Sequence, residues 1–558
     1  MTRDVQAEYD LIVLGAGAAG MTAAVTGAAL GLEVLLIESS PYAGGTTAFS
    51  AGSVWVPNSS LAAGSGDTPE NVVTYMRATV GNRAPEDITK AFLSRGPEMV
   101  DFLQKVGATD FMVYPHHPDY LADAPGATTS GRVLGARVFD ARVLGKSLSK
   151  LRPPLPEFTI FGGMMVDRND IAHLLSAHRS LKSLSHAARI ALRYGRDRIL
   201  HGRGTRLVMG NALAGRLLAT LLKLGVDLRT ETEASDLVIK DGAVRGIVVG
   251  GTRITARKGV VIATGGFPHH AALRDALYPK PVARHSAAPA DNRGGGIDLA
   301  LSAGASLSQG HANTAFWAPA SVRKRKDGST AVFPHFFLDR GKPGIIAVNR
   351  EGCRFVDETS SYQGFVEGMY AAQAIPCWLV CNGDFVRKYG LGMIRPRTRN
   401  LKPFLDEGYI SEGATLSELA GKIGIDPAGL EASVRANDAY AATGIDPDFG
   451  RGGNAYSRNL GDAPHKPNPC LGPIGTGPYY ALEIQPADIG TSVGLRTDGF
   501  ARVLDRRGMP IPGLFAAGND MSSVMGGVYL GPGVTLGPAM TFGYVAARCA
   551  AESDIPGK

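Results

Sequence analysis

The chain has 558 residues, 44% of them apolar, and its 58 Lys/Arg against 51 Asp/Glu leave a net charge of +7. That length calls for more than one domain and that apolar share for sizeable cores, while so mild a charge gives no footing for nucleic acid. The five cysteines contain no C-x-x-C pair, which argues against a disulfide framework and against a zinc or other metal site. The N-terminus runs into a strand-like segment within its first residues and no apolar run reaches the length of a membrane span, so neither a signal peptide nor a transmembrane helix is expected. Reduced thiols and a cytoplasmic location follow as the expectation.

In chain order, Tyr9–Leu14 is short, apolar and β-branched, as a buried parallel strand should be. Gly15-Ala16-Gly17-Ala18-Ala19-Gly20 follows at once, then an alanine-rich helix expected over Met21–Gly31, then a second strand ending in Glu38. This is G-x-G-x-x-G in the strand–turn–helix–strand setting that dinucleotide binding requires. Gly15 permits the tight turn, Gly17 lets a diphosphate approach the backbone, Gly20 lets helix and strand pack, and Glu38 can accept from adenosine ribose hydroxyls. The cluster Gly44–Ser53, with Gly45, Thr46, Thr47, Ala51 and Gly52, suits a ligand continuing past its diphosphate to an isoalloxazine, so the cofactor is read as FAD. None of the 12 histidines marks a covalent link, so the FAD is taken as non-covalent. Further on, Ala234 precedes two strands joined across Asp241-Gly242, a hairpin signal. Gly259–Ile262 is another buried strand that ends in Thr264-Gly265, and Pro512–Ala517 is a last one that ends in Gly518-Asn519. Between Gly518 and Gly543 nine residues are glycine or proline, a density that is costly in chain entropy unless the backbone must approach a ligand closely. Val534 and Leu536 lie in this loop, which should feed a helix over Phe542–Ala551.

Two segments interrupt this plan. From about Pro57 to Thr205 runs an insertion whose end, Arg179–Arg206, carries eight Lys/Arg against the one acid Asp197. Leu181, Leu184, Ala188 and Leu192 recur there at helical spacing, so residues 178–206 form either a basic amphipathic helix on an anionic membrane surface or a solvated helix covering the domain. The segment from about Ala300 to Asp462 is read as a substrate-covering domain. The expected fold is α/β with α+β insertions: a Rossmann-like FAD-binding domain (1–299, resumed at 463–558) with a discontinuous substrate-covering domain (300–462).

Arg354-Phe355-Val356-Asp357-Glu358, Ala263-Thr264-Gly265-Gly266-Phe267 and the Ala517-Gly518-Asn519 ending resemble the fumarate reductase flavoprotein superfamily. Within it, Ser523–Gly543, Gly44–Thr47 and Trp55-Val56-Pro57-Asn58 are most similar to the 3-ketosteroid Δ1-dehydrogenases. The resemblance implies FAD-dependent 1,2-dehydrogenation of a 3-ketosteroid, with hydride passing from carbon 1 to flavin N5 and a quinone or other organic molecule as final acceptor. It implies that Tyr362 is the base for the carbon-2 proton, that Tyr529 O–H and the Gly533 N–H polarise the ketone, and that a further tyrosine, Tyr120 or its rival Tyr114, supports the base. Leu530-Gly531-Pro532 departs from the family, which more often has proline followed by glycine-alanine. Three other functions stay open at this point. A fumarate reductase-like enzyme would need an arginine where Tyr362 stands. A 3-ketosteroid Δ4-dehydrogenase would carry a serine at the position of Gly531. A non-catalytic flavin-binding or membrane-scaffolding protein would rest on the basic segment alone.

Overall fold

The computed structural model describes residues 8–552 apart from 326–327 and 337–338. Its first sheet is built on Glu8–Leu14, which pairs in parallel with Val34–Ile37 on one side and with Thr252–Ile262 on the other. Asp227–Arg229 joins outside Val34–Ile37, and Pro510–Ala516 comes back from near the C-terminus to lie parallel to Val260–Ile262. Strands covered on both faces read as unbroken apolar runs, and Leu11, Ile12, Val13 and Leu14 are all buried. The hairpin turns at Asp241 and Gly242, both at positive φ (53° and 75°), the conformation a two-residue turn between twisted strands demands.

Two helix starts differ from expectation. The first helix is Ala18–Ala29, three residues ahead of Met21, because extended Gly17 is already its N-cap. The last is Leu536–Glu552, six residues ahead of Phe542. Gly537 and Pro538 read as breakers in sequence, yet Pro538 sits in the first turn, where its missing N–H costs nothing. Gly537 lies so close to Trp55 that an added Cβ would stand 2.0 Å from the Trp55 carbonyl oxygen.

The second sheet is mostly antiparallel around Tyr479–Thr491, which pairs with Ala315–Ala320 and with Cys377–Asn382. This central strand lies past residue 462, where the covering segment was expected to end. Pairing between segments over 100 residues apart leaves no local mark in sequence. Val133–Ala136 and Phe111–Val113 of the insertion form a small sheet with Ser53–Trp55, which precedes it, and Arg168–Ser176 with Leu181–His201 form a helical hairpin.

Candidate active site

A cavity of about 1000 Å³ runs between the first sheet, the second sheet and the insertion. At one end it is bordered by Gly15, Gly17, Ala18, Ala19, Glu38, Gly45, Thr46, Thr47, Ala51, Gly52, Ala234, Thr264, Gly265, Gly518, Asn519 and Leu536. Gly20 and Val534 are not on its wall: at Gly20 a Cβ would stand 1.8 Å from the Gly15 oxygen, and Val534 is fully buried. Gly15 has φ +97° and abuts Ala263, whereas nothing lies within 4 Å of where a Gly17 Cβ would be. That open step, at the N-terminus of the first helix, is the room a diphosphate takes. The Glu38 carboxylate is held at the rim by the N–H groups of Ala16 (2.8 Å) and Ser40 (3.0 Å). The chain thus offers a fitting cradle for FAD.

At the other end three of the sequence-named tyrosines meet. Tyr362 opens the helix Tyr362–Ala371, whose N-cap Ser361 accepts from Gly364 N–H. Tyr529 lies in the glycine-rich loop. Tyr120 is fixed by its own N–H donating to Leu530 O (2.8 Å), an oxygen that also accepts from Tyr75 O–H (2.8 Å). Its neighbour Asp119 accepts from Trp55 Nε1 (3.2 Å) and pairs with buried Arg132 (2.7 Å). Tyr120 O–H reaches Tyr362 Oη at 3.4 Å, and the Tyr362 and Tyr529 rings stand edge to face at 4.7 Å. Tyr114 borders the cavity too, but its ring is spent against Gly135 and His117. Gly533 has φ +93°, and a Cβ there would be 2.4 Å from Ser53 O. Among the described residues its N–H meets no acceptor. At Gly531 a Cβ would press on Trp55 Nε1 at 3.1 Å.

Several residues on or under the site carry no motif that sequence reading could catch. Tyr456, in the short helix Ala455–Leu460, packs on Tyr120 with ring centroids 4.6 Å apart. Beneath the tyrosines lies fully buried Arg340, which donates to the carbonyl oxygens of His335, Phe336, Glu358 and Ser360. Asp520 accepts from Thr264 Oγ1 (2.9 Å) and Gly265 N–H (2.7 Å), and Asn292 donates to Thr46 Oγ1 (3.1 Å). Asp520 adjoins Gly518-Asn519, the one signal that pointed to it.

Burial pushes Tyr362 and Tyr120 well above the ordinary phenol range, with the neighbouring phenols adding to the rise at Tyr362. Burial pushes Tyr529 up to about 12, partly offset by hydrogen bonds from Tyr362 and Thr535. At Tyr120 and Tyr456 the Arg340 guanidinium works against the rise. The resting site is therefore a set of neutral hydroxyls beside one buried cation bonded to four carbonyl oxygens and to Tyr456.

The family model described as FAD binding domain matches residues 10–536. The chain is 36% identical to a 3-oxosteroid 1-dehydrogenase of Mycobacterium tuberculosis (strain ATCC 25618 / H37Rv), over 97% of this chain and 98% of that one. It is 38% identical to a 4-oxocyclohex-2-ene-1-carboxylate 5-dehydrogenase of Sinomonas cyclohexanicum, over 97% and 93%. In structure it is similar to the 3-ketosteroid delta1-dehydrogenase of Sterolibacterium denitrificans in complex with 1,4-androstadiene-3,17-dione, with a TM-score of 0.91, 37% identity and coverage of 98% and 100%.

Proposed function

We infer, from a chain that belongs to the FAD binding domain family and within it to the 3-oxosteroid 1-dehydrogenases, that this enzyme places a double bond between carbons 1 and 2 of a 3-ketosteroid. It is an FAD-dependent oxidoreductase acting on a CH–CH bond. The observation that carries the steroid reading is the meeting of Tyr362, Tyr120 and Tyr529 with the open N–H of Gly533 on the wall of one cavity.

Polarising the ketone makes only the adjacent carbon 2 acidic; once its proton leaves, carbon 1 can give up a hydride. Tyr529 O–H and Gly533 N–H donate to the ketone oxygen and stabilise the developing enolate, each such donor contributing about 10²–10³ in rate. Tyr362 Oη takes the carbon-2 proton. A phenol held above its usual range is protonated at rest, so Tyr362 gives its own proton to solvent before it acts as base. The Tyr120 O–H directed at Tyr362 Oη stabilises the phenolate left behind. Tyr120 is in hydrogen-bond contact with it, and Tyr456 packs behind Tyr120 toward Arg340. The buried guanidinium lowers the cost of negative charge on these phenols without itself changing state. When bound, FAD supplies the two-electron acceptor for the hydride; a quinone-class acceptor then completes turnover. The chain's units act as a dinucleotide platform (1–299 and 463–558) under a cover (300–462) that brings Tyr362, with the cover's central strand drawn from Tyr479–Thr491.

The rivals fit the site less well. A dicarboxylate reductase needs cationic side chains with free N–H groups at the tyrosines, and those of Arg340 are taken by four main-chain oxygens and Tyr456. A serine at Gly531, the mark of Δ4-dehydrogenation, is absent here. A Cβ at that position would press on Trp55 Nε1 at 3.1 Å, which would have to give by a few tenths of an ångström. The single-ring oxo-acid named for the Sinomonas relative is a second reading, since it has the same ketone and CH–CH bond. It would leave the aromatic outer stretch at Phe158 and Phe333, stacked at 5.1 Å, unfilled. Anaerobic mixing with a Δ4-3-ketosteroid tests the reading. Bleaching of flavin absorbance with formation of a 1,4-diene supports it. Bleaching by 4-oxocyclohex-2-ene-1-carboxylate alone, or desaturation only between carbons 4 and 5, overturns it.

The same reading includes peripheral contact with an anionic membrane through 178–206. A helix that merely covers a domain turns its apolar stripe inward. Here Leu181, Leu192 and Ile199 are 86%, 75% and 85% exposed, and the inward face is Ser183, Ile190 and Asp197. Lys182, Arg189 and Arg196 flank the stripe and are exposed. Next to it Phe161, Ile171 and Leu175 border the cavity. Apolar substrate would pass from lipid to the site along that edge. Co-sedimentation with anionic liposomes is the test, and protein left wholly in the supernatant ends the idea.

A further inference from the structure

Arg152 borders the cavity at the end away from the tyrosines, and the steroid chemistry makes no use of it. It is only 8% exposed. Its backbone is locked where the insertion returns to the glycine-rich turn: the Arg152 N–H donates to Ala43 O (2.9 Å), and its carbonyl accepts from Asn211 Nδ2 (2.8 Å). Its Nη2 donates to Ser40 Oγ (2.9 Å), two residues past Glu38, and to Asp291 Oδ2 (2.9 Å), beside the Asn292 that holds Thr46. The guanidinium lies over the rings of Tyr42 and Phe49, 5.8 and 5.7 Å from their centroids. Its Nη1 meets no acceptor among the described residues and is not sealed off, whereas Nε is buried beyond a ligand's reach.

We propose that Arg152 is the counter-charge for the diphosphate of FAD, with Asp291 and Ser40 setting the guanidinium plane. The proposal rests on the FAD reading. A dinucleotide brings two negative charges into a largely dry groove, and such charges are held in place only when paired and hydrogen-bonded. The first helix supplies partial positive charge at its N-terminus, but its Ala18 N–H is already directed at Thr47 Oγ1 (3.1 Å). The other arginine bordering this end, Arg293, is 62% exposed and faces Glu233 at 3.5 Å. Arg152 is the buried one, and a planar guanidinium with an unused N–H is the group that matches phosphate oxygens. The same link ties the Glu38 turn to the segment at Asp291, so the cofactor is gripped from two parts of the chain.

The test uses full-length wild type, Arg152→Gln and Arg152→Lys, with FAD release and rebinding followed by flavin fluorescence and competition by ADP and by adenosine. Arg152→Gln should weaken FAD and ADP by about 10- to 100-fold. It should change adenosine by no more than about twofold and flatten the salt dependence of FAD affinity. Arg152→Lys, which keeps the charge and loses the fork, should fall between. Equal losses for ADP and adenosine, or no loss for ADP, overturn the proposal. If Arg152→Gln does not fold, the ADP-to-adenosine ratio in Arg152→Lys decides. A wild-type protein that takes up no flavin would instead remove the FAD reading beneath it.

Discussion

The glycine-rich segment at 518–543, a loop running into the last helix, and the helical hairpin at 168–201 border the same cavity on opposite terms. In this segment most residues are buried and the backbone is over-determined: a Cβ at Gly527, Gly533 or Gly537 would fall within 2.5 Å of main-chain oxygen from another segment. In the hairpin the outer helix shows an apolar stripe to solvent and is tied inward by Ile190, packed on Met164 and Val166, and by polar links such as His186–Asp170 (2.8 Å). Chemistry demands the first arrangement, because hydrogen-bond donors aimed at a developing charge lose their value if they must be rearranged. Entry of a large apolar substrate permits the second. Mutations should therefore divide sharply between the two ends.

The largest effect is expected at Tyr362. Tyr362→Phe should keep bound FAD and lose turnover by about 10²–10⁴, the range for removal of a general base; near-normal turnover in stopped-flow would remove it from the mechanism. Gly533→Ala should follow, with turnover down by about 10² and stability down by about 1–3 kcal/mol. It forces a side chain into a positive-φ position against Ser53. An unchanged melting temperature would show that the loop yields after all. Arg340→Gln acts more mildly. With the cation gone the tyrosines hold their protons to higher pH, so the rising limb of kcat/KM against pH should move alkaline by about one unit. A limb that stays in place would dissociate Arg340 from the phenols. Least affected is the hairpin: Leu192→Ser with Ile199→Ser should reduce liposome binding several-fold by the loss of exposed apolar area and leave turnover of detergent-dispersed substrate unchanged. A parallel loss of both would mean that the helix is part of the catalytic fold rather than its margin.

How far these features could be read in advance follows from how local they are. The dinucleotide unit is contiguous, so strand, glycine turn, helix and Glu38 stand in one stretch and read directly. Tyr362 and Tyr529 were marked by the motifs around them. Tyr120 and Tyr114 sit in one turn-rich stretch and could not be separated there. What separates them is the Leu530 carbonyl oxygen, over 400 residues away, which takes the Tyr120 N–H. Tyr456 and Arg340 had no local sign at all, since their importance lies in what they are folded against. The outward stripe on Leu181–His201 was visible as a periodicity, but a periodicity does not say which way it faces.

The first sheet takes its strand Pro510–Ala516 from the far end of the chain, and the helix that follows it packs against Ala19 at the mouth of the dinucleotide turn. A ribosome making this protein therefore releases some five hundred residues before the platform can close. Until then the edge of Val260–Ile262 is bare, an invitation to wrong pairing that a chaperone would have to cover. Engineering should respect the same timing: a fusion partner or a trim placed beyond the final helix leaves assembly intact, whereas one placed inside it withholds the piece on which the whole platform waits.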